Sequence, residues 1–546
     1  MSCTLFAQEK QSLPFALSGS IQSDILFPQE DAAIGASFYE TSVLTNTYAD
    51  LNLTSAYLDA GLGFACLKYP LPGFEPDFAG WGVPRLYITG KYKKLKLTAG
   101  DFYDQFGSGL IFRTYEDRGL GIDNSLRGAR LSVELFDGIF IKALAGKQRR
   151  FWKHNDGYVW GGDLELNIDH WIRRLRENNT FLLLGASLVS KHEEDVLIAT
   201  GDDSRLNLPA NVAATDLRLR LQKGDYTFLA EYALKANDPS ADNGYIYKRG
   251  NALFLSASYD QNGRSVLLQA RRSDNMSFRS DRRRLLNSSF INRLPAFAMQ
   301  HSYALATLYP YATQPDGEWA FQGAFSYLFK RETALGGKYG TSLKLNISHI
   351  RDIDKRYVID GYSPADAESA AALKGTDGYA SSFFKWGKTR YYQDINFGMD
   401  KKITADFKLS LMYMHLFYNQ WAVRKHGDPL VNANIYVAEG KYRINKKMNI
   451  RTEAQYLHTK DDVGDWWFGL VELSLLPGWM FTLSDMYNAG ATDIHYYKAM
   501  ITCIYRSHFI SFGYGRTKAG YDCSGGVCRE MPASKGFALA YNYNFN

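Results

Sequence analysis

Apolar and polar residues take turns along this chain at a period of two. Phe15, Leu17, Gly19, Ile21 and Ile25 alternate with Ala16, Ser18, Ser20, Gln22 and Asp24. About ten residues of such alternation is what a tilted strand needs to cross a bilayer. Comparable runs continue to the C-terminus, where Phe537, Leu539, Tyr541, Tyr543 and Phe545 share one face and Ala538, Ala540, Asn542 and Asn544 the other. Many runs are separated by a few turn-forming residues: Asp59-Ala60-Gly61, Lys93-Lys94, Asp137-Gly138, Lys223-Gly224-Asp225, Asn262-Gly263, Lys401-Lys402-Ile403-Thr404, Asn445-Lys446-Lys447, Leu476-Pro477-Gly478 and Arg506-Ser507. These predict tight hairpins. Between them lie longer connections, at 27–47, 70–84, 103–127, 191–211 and 237–249, and further on at 352–389, 418–430, 460–464, 490–493 and 518–533. Short and long joins therefore alternate, as they do where short turns face the periplasm and long loops the outside.

The pattern predicts an all-β fold: a single transmembrane antiparallel β-barrel of about 24 strands (roughly 22–26), with long extracellular loops and short periplasmic turns. A first pass finds about 25 candidate strands, but two periplasmic termini require an even number. Sidedness stays consistent from the N-terminus to Arg272 and from the C-terminus back to Trp319, so the odd candidate is the run at 298–309. Without it, 274–316 becomes one long excursion, a candidate for folding into the lumen together with 103–127. No linker or low-complexity tract divides the chain, so residues 9–546 read as one barrel. Residues 1–8, ending Leu5-Phe6-Ala7-Gln8 before Glu9, resemble the end of a secretory signal whose basic and apolar portions lie upstream.

Composition agrees. Aromatic residues make up 15% of 546 residues, yet the average hydropathy is hydrophilic. Alternation between a lipid face and a wet face reconciles the two. There is no run of about 18 apolar residues to form a membrane helix. A net charge of +6 is mild for this length, and no nucleic-acid-binding pattern accompanies it.

The densest polar constellation runs from Gly100-Asp101-Phe102-Tyr103 through Gly107-Ser108-Gly109-Leu110 to Arg127-Gly128. Its glycines and interleaved charges predict a compact, tightly turned loop. Folded inward, Arg113, Arg118 and Arg127 would face Glu116, Asp117 and Asp123 across a pore and set up a transverse field that selects polar solutes. The plainer alternative is that these charges pair among themselves and select nothing. A second cluster on the long excursion, Arg279, Arg282, Arg283 and Arg284 beside Arg271 and Arg272, suits phosphate contacts with lipopolysaccharide if outward, or anionic solutes if inward. A solvated loop is the bland reading. Cys523 and Cys528 enclose Ser524-Gly525-Gly526-Val527, a spacing suited to a local disulfide in an oxidising compartment. Asp352, Asp354 and Asp360 do not match an EF-hand, and no histidines stand at metal-ligand spacing, so no metal or cofactor is expected. Gly107-Ser108-Gly109 lacks the Lys-Ser/Thr of a phosphate loop, no G-x-S-x-G occurs, and catalysis is not expected.

The glycine-rich segment, Glu116-Asp117-Arg118, Leu120 through Gly128, and Tyr309-Pro310-Tyr311-Ala312-Thr313-Gln314-Pro315 together resemble an uncharacterised family of Bacteroidota outer-membrane β-barrels of similar length. That resemblance implies architecture and an outer-membrane location but brings no catalytic residues. Two functions remain open. One is a passive or substrate-selective, porin-like channel for polar solutes. The other is a non-conducting scaffold or partner-binding subunit of an outer-membrane assembly, secretion or uptake complex. Either implies contact with outer-membrane lipid and lipopolysaccharide, and insertion by the barrel-assembly machinery, which reads an aromatic-ended terminal strand.

Overall fold

A computed structural model describes residues 15–201, 204–285, 287–362, 371–424 and 430–545. The signal-like end at 1–8 lies outside the described residues. The chain forms one 24-stranded antiparallel sheet. It closes on itself because the first strand, Phe15–Pro28, pairs both with its successor, Leu44–Ser55, and with the last strand, Ser534–Phe545. Closure leaves the barrel no unpaired strand edge, so the wall satisfies its own backbone polar groups without water. The excess candidate strand at 298–309 is not in the wall. Within it only Leu305–Thr307 is regular, as one 3-10 turn.

Alternation along each strand puts large apolar side chains on the outside. Leu86, Leu217, Val471 and Leu483 are 56%, 67%, 47% and 62% exposed. An apolar surface of this extent is not stable against water and matches a hydrocarbon solvent. Inward positions change along the barrel axis. Toward the end bearing the long loops they are small or apolar and buried, as at Val159, Val189, Val212, Ala252, Ile350 and Ile435. Toward the short-turn end they are charged and partly exposed, as at Lys142, Lys344, Lys408, Lys441 and Arg451.

Most expected turns fall in place, with two shifts. The first hairpin turns at Ala56-Tyr57 rather than at 59–61, because the Ser55 hydroxyl accepts from the Leu58 amide and donates to its carbonyl. Gly61 is needed within the following strand, where a Cβ would stand 2.2 Å from the Tyr87 ring. The join expected at 401–404 lies at 403–406, since strand pairing continues through Lys402. One connection at the long-loop end is itself tight: Arg150 and Lys153 are joined by Phe151-Trp152 alone. Between Thr341–Tyr357 and Tyr379–Lys402 the strands persist into the region expected to be loop, so this hairpin stands taller than its neighbours.

Candidate functional site

The wall of so wide a barrel cannot fill its own interior. Here the long-loop half of the lumen is filled by two segments, 103–125 and 275–316. The first leaves the wall strand Leu95–Phe102 and drives Phe106, Leu110, Ile111 and Phe112 into the barrel, each fully buried. Gly107 adopts a positive φ of 51° against the wall, where a Cβ would lie 2.7 Å from a Glu231 oxygen. That close approach lets the Ser108 amide donate to Glu231 at 2.9 Å. The second segment contributes Met276, Phe278, Ile291, Leu294, Phe297 and Leu305 to the same apolar cluster. Wall residues from Leu126 and Leu144 round to Trp466 complete it, so the cluster packs both segments against that arc of the wall as an apolar plug.

Backbone bonds stitch the two segments together. The Arg113 amide donates to the Ile291 carbonyl at 2.8 Å, and the Arg293 amide to the Gly109 carbonyl at 3.0 Å. The Asn292 side chain donates to the Leu110 and Met276 carbonyls, both at 2.8 Å. Three of these bonds cross the joint and the fourth, from Asn292 to Met276, ties the second segment to itself, so the polar groups are satisfied as burial demands.

The charges expected to oppose one another across a pore do not do so. Arg118 donates to Asp50 on the wall at 2.7 Å and to its neighbour Glu116 at 2.8 Å, and lies over the Tyr48 ring. Burial alone would lower this guanidinium's pKa, but the two carboxylates outweigh it and raise the pKa. Asp117 caps the Leu120 amide at 3.0 Å. Asp123 pairs with Arg149 on the wall and accepts from the Tyr103 hydroxyl at 3.0 Å. Burial, then the nearby Asp123 and Glu116 charges, hold the Tyr103 phenol well above its ordinary range, so it remains a neutral donor. Arg113 forms no ion pair among the described residues. It lies over the Tyr115 ring, and burial followed by the charge of Arg293 lowers its pKa. Arg127 shares the outer face of the wall with Lys147 and Tyr158 and grips the buried Asp101 through two nitrogens at 2.9 and 2.8 Å. The expected transverse field is therefore absent. Wall carboxylates and arginines, invisible as partners in a linear reading, neutralise the loop instead.

The arginine cluster also divides. Arg279 is buried with Asp242 and lies over the Phe290 ring at 3.6 Å, and Arg282 is buried with Glu193 at 3.0 Å and the Pro209 carbonyl at 2.8 Å. Neither is available to an outside phosphate. Arg283 and Arg284 share Asp281 and stand half-exposed on a mouth cavity of about 720 Å³ that also holds Arg150 and Lys153. Deeper, Arg271 and Glu318 form a fully buried pair, and Glu318 also accepts from the Tyr311 hydroxyl and, at 2.8 Å, from the Gln314 amide. Lys191 pairs with Asp238 at 2.9 Å and Glu193 at 3.3 Å. Glu231, Glu318 and Lys191 went unnoticed in the sequence. The one signal for them is a charge at an inward strand position near the long-loop end, where neighbouring inward positions are apolar.

Cys523 and Cys528 form a disulfide at the tip of a small hairpin, Gly520–Ser524 with Val527–Met531. This tip reaches over the plug. Arg293 donates to the carbonyls of Ser524 and Gly525 at 2.7 and 3.0 Å, the Thr313 amide donates to Gly526 at 3.0 Å, and Asn287 donates to Cys528 at 2.9 Å. From below, His301 lies 2.7 Å from Asp394 on the wall. On the short-turn side the lumen is lined by charged networks, with Asp400 between Lys344 and Lys408, and Glu439 between Lys441 and Arg451. Among the described residues no group of three or more His, Cys, Asp or Glu could hold a metal ion.

Among solved structures, the chain is similar to the translocation pore of the P pilus usher PapC, at 9% identity over 97% of this chain and 99% of that one, with a TM-score of 0.44. It is similar to a double mutant of the ferric enterobactin receptor PfeA from Pseudomonas aeruginosa, at 8% identity over 97% and 80% of the two chains, with a TM-score of 0.43. The siderophore receptor PirA from the same organism matches at 10% identity over 97% and 80%, with a TM-score of 0.40. No curated protein matches the chain. The model of a family of unknown function, DUF6029, matches residues 1–545.

Proposed function

We propose that this chain, which belongs to the DUF6029 family of unknown function, is an integral outer-membrane barrel with a transport-related role whose lumen is shut at rest by its own loops. The observation that carries this reading is the plug: an apolar cluster formed by 103–125, 275–316 and the surrounding wall across the long-loop half of the lumen. The apolar outer surface supports the membrane location, and the long loops mark the outside. Below the plug a polar vestibule faces the periplasm, lined by ion-paired side chains. Solute passage then waits on displacement of the plug, by a ligand from outside or by a partner protein from the periplasm. The segments packed inside the wall favour gated over steady porin-like conduction. The non-conducting scaffold, with outer-membrane protein partners, is favoured by the same plug if nothing displaces it. We assign no catalytic role.

Conductance in planar bilayers tests the proposal. The whole chain gives no steady current, and a variant with residues 287–313 replaced by a short Gly-Ser linker conducts stepwise. Steady open conductance of the unaltered protein would overturn the reading. A silent linker variant that still migrates as a folded barrel would favour the scaffold.

A further inference from the structure

At the long-loop end, beside the tall hairpin and above the plug, lies a cavity of about 1050 Å³ that the transport reading does not use. It is at the top of the range of about 300–1,000 Å³ in which proteins hold whole small ligands. Its walls come from separate elements: the hairpin strands Thr341–Tyr357 and Tyr379–Lys402, both ends of the excursion, and the loops after Lys235 and Tyr418.

Five aromatic rings line it: Tyr357, Tyr362, Tyr379, Tyr391 and Trp421. Tyr357 and Tyr362 lie with centroids 3.9 Å apart at 30°, and Trp421 is 48% exposed. Between the rings stand the amides of Asn243, Gln314 and Asn419, which both accept and donate, and the accepting carboxylate of Asp354. The charges nearly cancel. With Asp242 taken up by Arg279 and Ser277, the carboxylates of Asp316, Asp352 and Asp354 stand against the ammonium groups of Lys355 and Lys388, and Asp352 accepts the Thr389 amide at 3.0 Å. A strongly cationic or anionic ligand would find no matching excess of charge. Flat apolar faces interleaved with amides and carboxylates suit a molecule with apolar C–H faces and a rim of hydroxyls. Each hydroxyl needs a partner when desolvated, and amide and carboxylate groups supply it.

We propose that this cavity is a binding site for a neutral oligosaccharide, held by stacking on Trp421 and Tyr391 and by hydroxyl contacts to Asp354 and Asn419. The barrel reading enters only in deciding that the cavity faces the outside. The site itself is independent of whether the plug opens.

Detergent-solubilised full-length protein is titrated with maltohexaose, cellohexaose, chitohexaose and mannohexaose, and with spermidine and a sulfated hexasaccharide as charged controls, by calorimetry and tryptophan fluorescence. At least one neutral hexasaccharide should bind below millimolar concentration. Trp421→Ala should weaken it tenfold or more, and Asp354→Asn several-fold. Trp467→Ala, a ring 52% exposed on the barrel's outer face, should leave it unchanged. The proposal is overturned if none of the four neutral sugars binds up to several millimolar, if only a charged control binds, or if Trp421→Ala binds as tightly as the unaltered protein. Because the titration is done in micelles with the plug in place, a negative result leaves the conductance test standing. A failed conductance test likewise leaves this one intact.

Discussion

Glu318→Gln is the substitution that most directly tests how the plug is held. Glu318 sits on the wall strand Gly317–Phe329, fully buried, and carries three bonds at once. It pairs with Arg271 on the adjacent strand, and it accepts from Tyr311 and Gln314, both on the returning limb of the excursion. Arg271 in turn donates to the Pro295 carbonyl on the same excursion. Removing one partner of a buried ion pair costs about 3–5 kcal/mol, because the other charge stays in place without compensation. Since three of the affected bonds reach the excursion, most of that cost falls on seating the plug rather than on the wall ladder. At about 1.4 kcal/mol per tenfold, the plug's local opening becomes roughly a hundredfold to a few thousandfold more frequent. Hydrogen exchange followed by mass spectrometry, in micelles, reads this directly. Peptides covering 287–313, which contain the amides of Ile291, Arg293 and Thr313, should exchange at least about a hundredfold faster. Those from the distant wall strand Val431–Asn445 should not change. Less than about threefold acceleration in 287–313, or equal acceleration in the wall, would refute the reasoning.

Other outcomes follow from the same contacts. Cys523→Ser with Cys528→Ser opens a six-residue ring whose closure is worth about 2 kcal/mol to the hairpin; exchange in 518–533 and in the capped plug segment should quicken while the barrel's melting temperature stays put. Arg118→Ala and Asp50→Asn should be coupled by about 1–3 kcal/mol in a double-mutant cycle of thermal stability, with Arg85 still holding Asp50 at 2.7 Å; additivity would show that the contact does not bind the loop to the wall. Burial tends to raise the Asp31 carboxyl, but its bonds to Lys535 and Arg516 outweigh this and lower its pKa. Its stabilising contribution is therefore complete above the ordinary carboxylate range and is lost as pH falls below it. As pH falls from about 4 through the lowered pKa of the folded state, the loop 29–43 should become sensitive to limited proteolysis, and Asp31→Asn should remove that pH dependence.

The architecture was readable because its signal is local. A strand's two faces meet different surroundings, so Leu17 and Ile21 differ in kind from Ser18 and Ser20 wherever the strand finds its neighbours. Parity then excluded 298–309 from the wall, since a closed antiparallel barrel with both ends on one side admits only an even count. The disulfide was readable for the same reason, as both cysteines lie within one hairpin. Even local signals misled in places: Gly61 reads as a turn residue, but it is small because the Tyr87 ring needs the space, and pairing carries the strand through Lys402 into an expected turn.

The chemistry of the loops was not readable in this way. Arg118, Glu116 and Asp123 look like opposed pore charges when only the loop is considered. Asp50 and Arg149, 68 and 26 residues from their partners Arg118 and Asp123, decide otherwise. In the sequence Arg127 belongs with the constriction charges, but strand register turns it outward. Arg279 and Arg282 look like a phosphate-binding surface until the fold buries them against Asp242 and Glu193. By itself, then, the order of residues determined that strands alternate along the chain, about how many close the wall and which faces are apolar, because each of those depends on neighbours a few positions away. Which loops pack inside the wall, and which charges are paired there, only the tertiary structure decided. Those outcomes depend on loops meeting one another and the wall across the barrel's width, and a buried charge is settled by whichever partner the folded chain brings within hydrogen-bonding reach.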